Sequence, residues 1–256
     1  MAEAIDLLAS NEGARALAGG QTLVNVMKAR AASPDAVIDL AELEELRGIE
    51  LGGDGSLDIG AMTTISELVE SPEARARPIV GEVAVQIADV QVRNRGTIGG
   101  NICANDPTNH MPPLLVALGA TMTIAGAGGE RTVDADDFFL GVFMTAVGPG
   151  ELLTKVHIPP GRRDGFASVT IGRDGTCIVS AAVSLENGPR VALGCVDAVP
   201  HRALEVERKL DGDVKAAVEG LGDTLDPPGD VHATVEYRQK VAEVVVARAI
   251  EQARSR

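Results

Sequence analysis

Tryptophan is absent from this chain, and tyrosine occurs once, at Tyr237. The apolar residues are nearly all Ala, Val, Leu and Ile, so a planar ligand would be sandwiched mostly by aliphatic side chains. Cysteine is scarce: Cys103, Cys177 and Cys195 are widely spaced and odd in number, which argues against a disulfide framework and fits a reducing cytoplasm. No C-x-x-C pair is available for zinc or an iron–sulfur cluster. Positive charge is in short supply, with 23 Lys plus Arg against 37 Asp plus Glu and a formal net charge of −14. That balance disfavours nucleic acid, whose binding needs clustered cations and gains from counterion release, and it disfavours an anionic membrane surface. No apolar run reaches spanning length without a charge or a Gly/Pro interruption. The first helix-like stretch, Ala2 to Ser10, carries Glu3 and Asp6 and is too short and charged for a signal peptide or a membrane span. There is no G-x-x-x-x-G-K-[ST]. The nearest dinucleotide fingerprint, Gly126-Ala127-Gly128, reaches Arg131 where its third glycine belongs.

Two short glycine-rich stretches stand out against these absences: Ala18-Gly19-Gly20-Gln21-Thr22-Leu23 and Thr97-Ile98-Gly99-Gly100-Asn101. Glycine lacks a Cβ, so each pair lets the backbone turn with positive φ and present consecutive N–H groups to phosphate oxygens. Thr22, Thr97 and Asn101 add side-chain donors. Each stretch lies just before a helical or apolar segment, where a helix N-terminus adds partial positive charge. Together they suggest a diphosphate cradle, which the acidic balance does not oppose, because backbone amides do not enter the formal charge.

A chain of 256 residues exceeds the usual single core, so one large domain or two unequal ones is expected. The order of segments predicts a helix over Ala2 to Ser10, a strand over Ala16 to Ala18, helical spacing from Leu23 to Arg30 and a buried strand over Ala36 to Leu40, a small βαβ-like unit. A strand over Ser56 to Ala61 follows. Thr63 or Thr64 caps the next helix, with Glu67 placed for a capping box. A longer helix is predicted from Pro78 to Val90 and an apolar one from Pro112 to Leu118, then strands over Thr121 to Ala125 and Leu152 to Ile158. Pro159-Pro160-Gly161 marks a boundary. Beyond it, Phe166 to Ile171, Cys177 to Leu185 and Val191 to Val196 read as three antiparallel strands joined by turns at Arg173-Asp174-Gly175 and Asn187-Gly188. The last helix is predicted over Ala233 to Ala253.

Other chemical candidates each carry a plain structural alternative. His110 reads as an acid/base group near the second loop or as a capping histidine before a proline-started helix. Arg93 and Arg95 suit a phosphate or a partner subunit, or equally a helix C-terminal charge. Cys103 has the character of a small buried filler. His157, His201 and His232 lack metal spacing, and Asp134, Asp136 and Asp137 read as a solvated turn and helix start.

Ala18 to Leu23, the run Gln91-Val92-Arg93-Asn94-Arg95-Gly96-Thr97-Ile98-Gly99-Gly100-Asn101, and Phe138-Phe139-Leu140-Gly141 followed by Pro149-Gly150-Glu151-Leu152-Leu153 resemble the FAD-binding medium subunit of molybdenum hydroxylases. That is the xanthine dehydrogenase and aerobic carbon monoxide dehydrogenase family. The likeness extends to Asp226-Pro227-Pro228 and Glu236-Tyr237-Arg238. It implies an α+β chain: a vanillyl-alcohol-oxidase-type (PCMH-type) FAD-binding domain of two α/β subdomains over residues 1–160, then a three-stranded antiparallel sheet plus helices over 161–256. Carried over, Ala18, Gly19, Gly20, Gln21, Thr22, Leu23 and Val24 with Thr97, Ile98, Gly99, Gly100 and Asn101 hold the FAD diphosphate. Ile87 and Ala88 match positions near the flavin, and Leu152 or Leu153 packs near the isoalloxazine or adenine. His110 stands where the family usually has a cofactor-contacting aspartate, and a polar residue common in the strand after residue 165 has no counterpart near Ser168 or Val169. Relatives commonly carry a short Pro/Tyr-containing lead before the first helix.

The resemblance further implies a large partner subunit with a molybdenum cofactor, a small one with two [2Fe–2S] clusters, assembly as a dimer of heterotrimers, and an external electron acceptor. Two other readings stand beside the electron-transfer subunit: a self-sufficient FAD-dependent oxidase or reductase of the same fold, and a non-redox nucleotide-binding scaffold.

Overall fold

The computed structural model describes residues 1–172 and 176–256, so the Arg173-Asp174-Gly175 turn lies outside the described residues. The chain is a mixture of helices and sheets. α1 (Ala2–Ser10) buries Ala4, Ile5 and Leu8 on one face and packs on β1 (Ala14–Leu17) and β2 (Ala36–Asp39). These strands pair in parallel from Ala14↔Ala36 to Leu17↔Asp39. α2 (Leu23–Lys28) lies in the crossover, which completes the expected βαβ-like unit.

The chain continues through β3 (Ile49–Leu51), β4 (Leu57–Gly60), α3 (Ile65–Glu70), α4 (Ile79–Ala84), α5 (Val90–Arg93), α6 (Ile98–Ala104) and α7 (Met111–Leu118). Next come β5 (Thr121–Gly126), β6 (Gly129–Asp134), α8 (Ala135–Phe138), β7 (Phe139–Gly141), β8 (Met144–Thr145) and β9 (Leu152–Ile158). Five of these strands form an antiparallel sheet in the order β3-β4-β9-β5-β6. Thr64 starts α3 with the full capping box: its hydroxyl accepts from Glu67 N at 3.2 Å, and the Glu67 carboxylate accepts from Thr64 N at 2.6 Å. Two orphan helix donors are thereby satisfied.

The last part holds β10 (Asp164–Thr170), β11 (Cys177–Ser184), β12 (Arg190–Gly194), β13 (His201–Arg202), α9 (Leu204–Arg208), α10 (Val214–Val218) and the long α11 (Val235–Arg254). β11 is buried at every position, because helices cover both faces of its sheet. Ala182 and Ala192 join the core containing α7, whereas Ala181, Val183, Val191 and Leu193 join the core under α11. This is the two-residue alternation of a pleated strand, hidden in sequence because both faces are apolar. α7 is buried at all eight residues and shares one core with the five-stranded sheet and this second sheet. Asn187 and Gly188 turn with positive φ of 51° and 96° in the connection between Ser184 and Arg190. Among the described residues no helix is long and apolar enough to cross a membrane.

Two polar ties cross between these regions. Arg77 meets Asp164 in a two-pronged pair, Nε to Oδ2 at 2.8 Å and Nη2 to Oδ1 at 2.9 Å, with side chains only 2% and 1% exposed. The same guanidinium donates to Ser184 Oγ at 3.1 Å and to the Pro159 carbonyl. Asp136 bridges Arg190 at 2.5 Å and Arg202 at 3.0 Å, and Arg190 also donates to the Val116 carbonyl at the end of α7 at 2.8 Å. Burial alone would raise the Asp136 carboxyl; the hydrogen bonds from Arg190 and Arg202 outweigh it and hold this group below the usual carboxylate range. Asp136 therefore ties α8 to β12 and β13 and is not merely part of a solvated acidic run.

Three sequence expectations are corrected. The Pro78 to Val90 helix ends with α4 at Ala84, and a new helix begins only at Val90. Val90 is 52% exposed, so it does not share the buried face of Val83. Between the two helices Ala88 adopts φ 44°, a left-handed conformation that no helix interior accepts. The C-terminal sheet has four strands instead of three, because His201 and Arg202 pair with Leu193 and Ala192; a two-residue strand carries no periodicity to read. β6 was not expected either. It is an edge strand exposed along most of its length, with charged side chains in place of apolar alternation.

Arg77→Met is expected to cost about 3–5 kcal/mol in urea unfolding, because it strands the Asp164 carboxylate in the interior. Arg77→Met with Asp164→Leu should recover much of that loss, and equal midpoints for both variants would refute the account. Asp136 has a lower folded than unfolded pKa, so its stabilisation is complete above the unfolded value and fades as pH falls through the folded one. Asp136→Asn should therefore flatten the loss of stability below about pH 4, measured as Tm against pH; parallel curves would count against it.

Candidate cofactor-binding site

The two glycine loops lie far apart in sequence but touch in the fold. The first leaves the end of β1 and enters α2. A Cβ on Gly19 would stand 1.9 Å from the Arg95 carbonyl oxygen and 2.8 Å from Gly96 Cα, and one on Gly100 would stand 3.5 Å from Ala18 Cβ. Only glycine at position 19 permits that approach. Gly20 turns with φ 72°. The loop is locked internally: Gln21 Nε2 donates to the Gly19 carbonyl at 3.0 Å and Asn25 Nδ2 to the Gln21 carbonyl at 2.7 Å.

The second loop is pinned by a single antiparallel bridge between Thr64 and Thr97. Ile65 N donates to the Gly96 carbonyl and Ile98 N to the Thr63 carbonyl, both at 2.9 Å. Gly99 N donates to the Ala61 carbonyl at 2.9 Å, and a Cβ there would lie 2.6 Å from that oxygen, so this glycine is needed for packing at the end of β4. Thr97 Oγ1 caps α6 by accepting from Gly100 N at 3.0 Å, which leaves its hydroxyl proton free to donate.

Among the described residues no protein acceptor takes the amides of Gly19, Gly20, Gln21, Thr22 or Thr97. Because α2 and α6 have only six and seven residues, individual N–H groups carry the positive potential here more than any helix dipole does. Asn101, the last residue of the second loop, has a buried side-chain oxygen without a partner, and its carbonyl accepts from Asn109 Nδ2 at 3.1 Å. The amides left without a protein acceptor and the available Thr97 hydroxyl make a candidate anion cradle that needs no cationic side chain, whereas the Asn101 oxygen, an acceptor, calls for a donor.

The remaining expected residues fall into three positions. Ile87 and Ala88 form the reversal between α4 and α5, where Arg93 Nη1 donates to both carbonyls, at 3.0 Å and 2.8 Å. Arg93 is thus half-buried and committed to its own chain, whereas Arg95 is exposed; reading the two as equivalent surface cations missed this difference. Leu152 and Leu153 are buried on opposite faces of β9. Leu152 joins the small core against which Ala18 packs, and Leu153 joins the main core. Val24 approaches the first loop, its Cγ2 being 3.1 Å from a Cβ placed on Gly20. Leu23 opens α2, and Ile98 is buried at the start of α6.

His110 is not brought into this group. Its ring is buried edge-on to Phe166 at 5.3 Å, and its Nδ1 is buried without a partner among the described residues. Cys195 and, secondarily, His110 lower the Cys177 thiol against the opposing effect of burial. Burial pushes the Cys103 thiol up to about 12, as suits an inert filler, although part of the residue remains exposed. His157 is occupied with Asp58 at 2.7 Å. A crevice of about 530 Å³ lies elsewhere, between Gly126–Arg131 and Gly148–Glu151, and its cation, Arg131, is already paired with Glu151 at 2.7 Å.

Sequence reasoning also missed Asn105. This buried residue ends α6 with φ 38°, donates to the Gly141 and Met144 carbonyls at 2.7 Å and 3.2 Å, and accepts from Phe143 N at 3.1 Å. It fixes the β7–β8 hairpin, whose Leu140, Phe143 and Met144 are exposed, to the helix that begins in the second glycine loop. Asparagine tolerates the left-handed region better than most residues, which is the one signal that could have marked it.

Residues 1–161 match the family described as the FAD binding domain in molybdopterin dehydrogenase, and residues 172–253 the CO dehydrogenase flavoprotein C-terminal domain. The carbon monoxide dehydrogenase medium chain of Afipia carboxidovorans is 37% identical, with 100% of this chain and 94% of that one covered. The glyceraldehyde dehydrogenase medium chain of Sulfolobus acidocaldarius is 35% identical over 98% of this chain and 94% of its own. Among solved structures, carbon monoxide dehydrogenase from Hydrogenophaga pseudoflava superposes with a TM-score of 0.94 at 35% identity, covering 99% of this chain and 94% of that one. Quinoline 2-oxidoreductase from Pseudomonas putida also gives 0.94, at 33% identity, 100% of this chain and 94% of that one.

Gly19→Ala is expected to destabilise the chain by about 1–3 kcal/mol, the usual cost of overpacking, and to loosen the first loop in hydrogen exchange. Gly53→Ala, where a Cβ meets nothing within 4 Å, serves as the control. Equal urea midpoints for the two variants would show that the loops are not in obligatory contact.

Proposed function

The chain belongs to the family of FAD-binding medium subunits of molybdopterin dehydrogenases, and from that premise we propose that it is the electron-exit subunit of a molybdenum hydroxylase complex. The carrying observation is that the two glycine loops touch at Gly19 and Arg95, with the amides of Gly19, Gly20, Gln21 and Thr22 in the first loop and of Thr97 in the second taking no protein acceptor among the described residues. A diphosphate fits that donor set: the donors are backbone N–H groups without a protein acceptor among the described residues, and the Thr97 hydroxyl keeps a proton to donate. Residues 18–24 and 97–101 are assigned to the FAD diphosphate, Ile87 and Ala88 to the flavin side, and Leu152 and Leu153 to the apolar wall behind it. His110 is assigned to packing against the C-terminal sheet.

The chemistry supplied by bound FAD is electron storage between [2Fe–2S] clusters in a small partner subunit and an external acceptor, with substrate oxidised at the molybdenum cofactor of a large subunit. This chain's own part is to bind and orient the cofactor and to shape its electrostatic surroundings. The assembly we propose is a dimer of such heterotrimers in the cytoplasm, where three free cysteines stay reduced. We assign residues 1–160 to a vanillyl-alcohol-oxidase-type domain with two subdomains around the cofactor, and 161–256 to the C-terminal module.

The purified chain should show a flavin absorbance spectrum, and acid should release FAD of unmodified mass. Alone it should reduce no acceptor at the expense of a hydroxylase substrate, and co-expression with the two partner subunits should restore that turnover. Failure to bind FAD after reconstitution would sink the reading, and turnover by the lone chain would replace it with a self-sufficient enzyme.

A further inference from the structure

We propose that Arg93 is the positioning residue of the cradle: by holding the Ile87 and Ala88 carbonyls it fixes α5, and α5 delivers Arg95 and Gly96 against Gly19. The inference rests on the FAD-binding reading for its ligand, but its geometry is independent of that reading.

Ala88 stands at φ 44°, a region that L-residues enter at a cost and glycine enters freely. Its side chain has no polar group that bonds locally to offset that cost. The compensation comes from Arg93, whose Nη1 reaches back to the Ile87 carbonyl at 3.0 Å and the Ala88 carbonyl at 2.8 Å. A hydrogen bond from a charged donor is among the stronger kinds, and two of them converge on one strained turn.

What depends on the turn is the direction of α5. This helix is a single turn of four residues, too short to be stable by itself, and is held at its start by Asp89, which caps Val92 N at 2.8 Å. At its other end Ser66 Oγ donates to Asn94 Oδ1 at 2.6 Å, and Arg95 and Gly96 fold back onto the Val92 carbonyl. The Arg95 carbonyl then fills the space where Gly19 would have a Cβ. Arg93 therefore acts on the first glycine loop through main chain, with no need to touch the ligand.

The test compares Arg93→Gln, Arg93→Lys and Arg93→Gln with Ala88→Gly on the full chain. FAD dissociation is followed by flavin fluorescence, and hydrogen exchange is measured over residues 86–96 without FAD. Arg93→Gln should weaken FAD binding about tenfold, the scale of a left-handed L-residue left unsupported, and speed exchange across the segment. Ala88→Gly in that background should restore most of both, because glycine needs no clamp. Unchanged affinity in Arg93→Gln overturns the proposal. So does rescue by Arg93→Lys but not by Ala88→Gly, which would mark a charge effect on the phosphates. Should the unaltered chain bind no FAD, the FAD-binding reading fails, and the exchange data still decide the role of Arg93: unchanged exchange in Arg93→Gln overturns it.

Discussion

The buried ion pair of Arg77 and Asp164 sets the terms on which the two parts of the chain meet. Removing both charges from water is expensive, and the expense is recovered only when the guanidinium fork and the carboxylate align and every remaining donor is used. Here Ser184 and the Pro159 carbonyl take further donors, so very few relative placements satisfy the group. The consequence reaches α7, whose eight residues are all buried and must find apolar cover on every side. With β10 anchored at Asp164, the face carrying Ala182 and Ala192 completes that cover.

The candidate site follows a different logic. It is built from main chain, with side chains acting at one remove: Gln21 and Asn25 lock the first loop, Thr97 caps the helix after the second, and Arg93 supports the segment between α4 and the second loop. An acidic protein can hold an anionic group this way, because amide dipoles at short range matter more than a net charge spread over a screened surface. The arginines near the site are thereby freed for other tasks.

Both loops were legible in sequence because glycine pairs flanked by Thr, Gln and Asn are uncommon and carry a mechanism. The Thr64–Glu67 cap was equally readable, since its spacing is local. Four kinds of feature were not. Alanine at 88 has no left-handed signature; its conformation is imposed by an arginine five residues on. Asp136 is indistinguishable from its acidic neighbours until Arg190 and Arg202 arrive from distant strands. The contact between Gly19 and Arg95 is a long-range fact that local pattern could not supply. β6 and β13 were missed because one is an exposed edge and the other only two residues long.

That long-range contact also has a bearing on the order of folding. Gly19 and Arg95 are separated by most of the first half of the chain, and closing such a span costs loop entropy before any contact rewards it. The βαβ-like unit and the α3–α6 region have local contacts of their own, and the candidate cradle is complete only where the two are docked. A ligand that binds there recognises the docked state alone and stabilises the native chain by mass action.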